Sequence, residues 1–161
     1  MKLFGITMIF AAAAAAGFLA EEKYLSMLKG IKRAENLMVN FILGLKSERL
    51  TLSEIFENAV SSGDEKTKRF IMNIPLQKLE DAPEISEKCG FCNDRTANSI
   101  LGEAFCMLGK YSADEQISEL EFCRNRFRSL YEKNEEPYKM KAKLSRYAGI
   151  LSGIFFAIIF F

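Results

Sequence analysis

After Arg146 no charged side chain follows: residues 147–161, from Tyr147 to Phe161, hold none. Bulky apolar side chains fall on every helical face of that stretch, so a helix here has no side to turn toward water. At about 1.5 Å per residue it is ~22 Å long, short of a hydrocarbon core of about 30 Å. Beginning the crossing a turn earlier meets the deficit, with basic side chains snorkelling to the headgroups, and so does local thinning. Lys139, Lys141, Lys143 and Arg146 stand just before it with no acid among them. Basic flanks of this kind lie on the cytoplasmic side. Residues 138–161 therefore read as a basic membrane flank and a C-terminal transmembrane helix.

A second uncharged run, Leu3 to Ala20, follows Lys2 and stops at Glu21-Glu22-Lys23. A positive start, an apolar stretch and the alanines 11–16 before Gly17 resemble a cleavable signal peptide. The same 18 residues also reach the low end of a spanning helix. The span is preferred, because a second anchor suits a hairpin topology. Lys23, Lys29, Lys32 and Arg33 follow this run while Lys2 precedes it, which places the middle of the chain in the cytoplasm. The expected organisation is residues 1–20 as the first span, 21–137 as a helical cytoplasmic domain, and 138–161 as flank and second span.

The middle reads as helices throughout. Apolar positions at 24, 28, 31, 34, 38, 41, 42 and 45 have helical spacing and continue the first anchor. Thr51-Leu-Ser-Glu54 is a capping-box pattern. It opens a helix burying Leu52, Ile55, Phe56, Ala59 and Val60, closed at Gly63. A third helix from Asp64 carries Phe70, Ile71 and Ile74. Residues 75–95, with Pro75, Pro83 and Gly90, are the least regular, with one short helix at 76–79. A fourth helix places Ala97, Ile100, Leu101, Ala104, Phe105 and Leu108 on one side and stops at Gly109. Ser112 to Glu115 is a second capping box. It starts a charged helix with the stripe Leu120, Cys123, Phe127, Leu130 and Tyr131, which Pro137 is expected to kink or end. The fold class is all-α: a helical bundle flanked by a transmembrane helix at each end.

Chemistry is scarce. The chain has no histidine, which removes the commonest general base and the commonest metal ligand. Its 22 basic and 21 acidic side chains nearly cancel, so no overall field favours nucleic acid. Cys89-Gly-Phe-Cys92 fits a redox pair or half a metal site. Yet a thioredoxin-like site needs a preceding strand, and Cys106 and Cys123 lack the spacing of a second ligand pair. The four cysteines therefore read as small core or loop residues. The acid pairs Glu21-Glu22 and Glu135-Glu136 read as solvated surface. No catalytic residue, cofactor, metal or small-molecule substrate is expected. Gly149 and Gly153 form a G-x-x-x-G that lets a neighbouring helix backbone come close. The partner is either the alanine face of the first span or another subunit.

Leu108-Gly109, Ser112 and Gln116, then the charged helix and Lys143-Leu-Ser-Arg146-Tyr-Ala-Gly149-Ile-Leu-Ser-Gly153, resemble stage III sporulation protein AB of endospore-forming bacteria. Ser112 stands where that family has an Asp, a swap that keeps an N-cap. The likeness is good over 101–161 and thinner over 24–60. It implies a structural subunit in the mother-cell membrane (the outer forespore membrane), with its soluble part in the cytoplasm. That part would be similar to the cytoplasmic helical domain of the F-type inner-membrane protein of type II secretion. The implied partners are a secretion-type ATPase and other membrane subunits of the channel complex joining mother cell to forespore. The rivals are an exported, anchored thiol protein using Cys89 and Cys92, and a helical membrane adaptor unrelated to sporulation.

Overall fold

The computed structural model describes residues 2–48 and 50–160, and the side chains of 2–6, 9, 47, 48, 157 and 160 lie outside that description. Among the described residues six α-helices follow in order: α1 (Lys2–Leu43), α2 (Leu52–Ser62), α3 (Glu65–Asn73), α4 (Ala82–Cys89), α5 (Arg95–Met107) and α6 (Ala113–Phe160). No strand occurs among the described residues, and the fold is all-α. Among the same residues, no helix is long and apolar enough to cross a membrane. Parts of both expected spans, residues 1–6 and 9 in the first and 157, 160 and 161 in the second, lie outside the residues or side chains described. The chain divides into two compact units, one comprising Lys29–Glu132 and the other Met1–Leu28 with Lys133–Phe161.

The first unit is a bundle built around phenylalanine. Phe41, Phe70, Phe91, Phe105 and Phe127 are fully buried. Phe70 stacks on Phe91 with centroids 4.3 Å apart, and Phe41 lies 5.5 Å from Phe56 and 5.8 Å from Phe105. Such pairs add to the burial of their large areas. Local chemistry starts each helix where the caps stand. The Thr51 N–H donates to Glu54 Oε2 at 2.7 Å while the Glu54 N–H returns to Thr51 Oγ1 at 3.4 Å. Asp64 caps α3 by accepting from the Thr67 N–H at 2.9 Å, and Asp94 caps α5 through the Ala97 N–H at 2.9 Å. The stripe on α6 is buried at Leu120, Cys123 and Phe127, with Leu130 and Tyr131 packed against it.

Two expectations are corrected. Residues 75–95 hold α4 rather than a helix at 76–79. Pro83 sits in its first turn, where its missing N–H has no helical acceptor in any case. Gly90 then takes the left-handed conformation (φ 64°) that closes it. Buried Ser86 donates to Asn98 Oδ1 at 2.7 Å, and Asn98 Nδ2 donates to the Cys92 carbonyl at 3.1 Å, which ties α4 to α5. The second correction is that Pro137 does not end the helix: α6 runs through it. Pro137 deprives one carbonyl, that of Lys133, of its helical donor. Lys133 is exposed, so water can take the donor's place.

The second unit is an antiparallel helix pair, made of the first part of α1 and the last part of α6. Tyr24 meets Tyr138 with ring centroids 6.1 Å apart, and Gly17 lies against Gly149. The numbering thus runs in opposite directions along the two helices. Leu28, Gly17, Ala142, Gly149 and Gly153 are buried, a contact face of mostly small residues.

Candidate functional site

The cysteine motif forms the turn between α4 and α5. Cys89 ends α4, Gly90 turns the chain, and Phe91 drops into the core. The Phe91 carbonyl accepts from Arg33 Nη1 at 3.0 Å. Burial pushes the Cys92 thiol up to about 11, and burial also takes Cys123 to about 11. A thiol held protonated in this way is a poor nucleophile and a poor ligand. All four cysteines are free, and no group of three or more ligating side chains occurs among the described residues. The motif precedes α5, but the group that caps α5 is Asp94, not a thiol.

Leu108, Gly109, Ser112 and Gln116 come together as a latch. Gly109 adopts φ 75°, a conformation open to glycine, and donates its N–H to Gln116 Oε1 at 3.0 Å. Gln116 Nε2 donates back to the Tyr111 carbonyl at 2.6 Å. Ser112 accepts from the Glu115 N–H at 3.4 Å and donates its N–H to Glu115 Oε2 at 3.0 Å. One glutamine side chain therefore holds both sides of the turn into α6. These hydrogen bonds position the start of the helix.

A further candidate surface is the helix pair. A Cβ placed on Gly149 would stand 2.7 Å from Gly17 Cα and 2.9 Å from the Ala13 carbonyl oxygen. One on Gly17 would stand 2.9 Å from both Gly149 Cα and the Ser145 carbonyl oxygen. The backbones touch there, and only hydrogen fits. A Cβ on Gly153 would meet the Phe10 ring at 2.8 Å. Gly17 was not singled out by sequence spacing, because it closes a run of alanines in which any small residue looks alike.

The outward sides of the pair are apolar. Met8, Phe18 and Leu19 on α1, and Tyr147, Leu151, Phe155, Ile158 and Ile159 on α6, are each about half exposed or more. At the polar end, Arg146 Nη1 lies 4.0 Å from Glu21 Oε1, with its guanidinium 5.4 Å from the Phe18 ring centroid. Lys139 Nζ donates to Glu135 Oε1 at 2.7 Å. Lys141 and Lys143 are exposed, and neither has a carboxylate partner among the described residues. Of the two acid pairs, Glu21 and Glu135 are thus engaged by these cations. This surface offers apolar contact and positive charge.

Comparison with known proteins gives one family. The family model described as stage III sporulation protein AB matches residues 2–161. No curated protein and no solved structure matches.

Proposed function

Because the chain belongs to the stage III sporulation protein AB family, we propose that it is a structural membrane subunit of the secretion-like channel complex between mother cell and forespore. Its two uncharged stretches anchor it in the mother-cell membrane as a hairpin. Its bundle stands in the cytoplasm and docks a secretion-type ATPase, while the anchors contact other membrane subunits. It carries out no reaction of its own.

The observation that carries the anchor reading is a matter of register. Antiparallel packing at Gly17 and Gly149 sets Arg146, the last charge before one uncharged stretch, beside Glu21, the first charge after the other. Both stretches therefore begin at one level, as a flat membrane boundary requires of two helices that enter it together. The exposed apolar side chains beyond that level are at home in lipid, where Gly and Ala contacts associate helices closely. The half-exposed Cys89 and the buried Cys92 thiol leave the thiol rival with little to work with.

Alkaline carbonate extraction of membranes from sporulating cells tests the reading. The full chain is expected to stay with the membrane, and release into the supernatant would overturn the anchors. A chain lacking residues 147–161 is expected to leave cells unable to complete sporulation, and wild-type spore yield from it would remove the need for the second anchor. Labelling of Cys89 in intact cells by an impermeant thiol reagent would overturn the cytoplasmic placement.

A further inference from the structure

We propose that the polar end of the helix pair, around Lys141 and Lys143, binds the headgroups of anionic phospholipids, an inference that rests on the anchored reading above. The outer face of α6 does not turn polar where the charges begin. Met140 (68% exposed) and Leu144 (67%) continue the outward stripe of Tyr147, Leu151 and Ile158. These positions recur at steps of three, four and seven, which is one helix face. The apolar outer surface thus starts well before Arg146. From Met140 to Ile159 it spans ~29 Å, close to the thickness of the hydrocarbon core that the uncharged run alone does not fill.

Apolar side chains turned outward at the same height as cations mark the boundary between headgroups and acyl chains. Lys141 and Lys143 are one residue either side of Ala142, which is buried in the pair at 2% exposure. Each is therefore turned by about 100° from the contact face, one to each flank of the outer stripe. Their aliphatic stems can lie along Met140 and Leu144 while the ammonium groups reach up to phosphate. Lys139 and Arg146 are turned to Glu135 and Glu21. At the facing level of α1, Glu22 and Lys23 cancel, so the surplus positive charge belongs to Lys141 and Lys143. A zwitterionic headgroup offers its phosphate together with a cation that opposes them. A headgroup with net negative charge does not.

The chain has five tyrosines and no tryptophan, and Tyr147 sits on the outer stripe. Full-length protein is reconstituted into phosphatidylcholine vesicles containing either brominated phosphatidylglycerol or brominated phosphatidylcholine, and quenching of tyrosine fluorescence is followed. Brominated phosphatidylglycerol is expected to quench at a mole fraction lower by on the order of tenfold, since each lysine near a charged surface contributes a several-fold preference. The preference is expected to vanish in the Lys141→Gln, Lys143→Gln double variant and to persist in Lys88→Gln, a substitution on the bundle surface. Co-flotation with the vesicles but equal quenching by the two lipids overturns this proposal alone and directs the lysines toward an acidic protein segment. Failure to float with either vesicle overturns the anchored reading and this proposal with it.

Discussion

Single residues in the bundle are chosen for position more than for chemistry, and Asp64 shows it. Burial pushes its carboxyl pKa up, but the Thr67 hydroxyl and N–H, with Arg33, outweigh that and hold it below the ordinary 3.8. A carboxylate held lower in the folded state than in the unfolded chain contributes stability that is complete above the unfolded value. That contribution disappears as pH falls through the folded one. Asp64→Asn keeps the N-cap, since Asn caps as well as Asp, and removes the charge that faces Arg33 at 2.5 Å. With the Asp64 side chain 50% exposed, the pair is worth about 1 kcal/mol or less. Thermal unfolding is expected to show the variant slightly less stable near neutral pH. The gap between the two proteins should close below about pH 3.8. A constant gap down to strongly acid pH would mean that the charge is not what Asp64 supplies.

At the scale of elements, the pair is the exacting contact. Gly149→Leu would drive a branched side chain into Gly17 Cα and the Ala13 carbonyl oxygen, backbone atoms that cannot step aside. Gly153→Ala meets the Phe10 ring first, which can tilt. Hydrogen exchange in detergent micelles is expected to rise over residues 10–20 and 145–153 in Gly149→Leu, and much less in Gly153→Ala. Equal protection in both variants would mean that the helices do not rely on that close approach. Most elements were legible beforehand because caps and periodicity agree. Thr51 with Glu54, Asp64 and Ser112 with Glu115 mark starts, and Gly63 and Gly109 mark stops. Helix α4 was hidden because Pro83 and Gly90 were read as breakers, when one opens the helix and the other closes it. Pro137 does not end α6 either. Strong helix formers flank it on both sides, and Lys133, whose carbonyl loses its helical donor, is an exposed residue. The wider π-type turn at Gly44–Glu48 has no warning in the hydrophobic spacing.

For the whole molecule, charge marks out uncharged runs at residues 3–20 and 147–161 with charged helices between. Which small residues would meet was not legible, because spacing offers Gly149 a surface without naming Gly17 as its occupant. The buried cluster of the bundle lies entirely between Ile31 and Phe127. A core closed within one segment is the mark of a domain able to fold alone. Residues 29–132 expressed by themselves are therefore expected to be soluble and to unfold in one cooperative thermal transition. Aggregation, or a broad featureless melt, would show that the bundle depends on the helix pair. Gly17 and Gly149, by contrast, are brought together across the whole of the bundle segment. At a synthesis rate of about 5–20 residues per second, α1 waits on the order of ten seconds for its companion to leave the ribosome. Throughout that interval the small-residue face of α1 lacks its α6 partner, so the close contact at Gly17 can form only after the bundle between them has been synthesised.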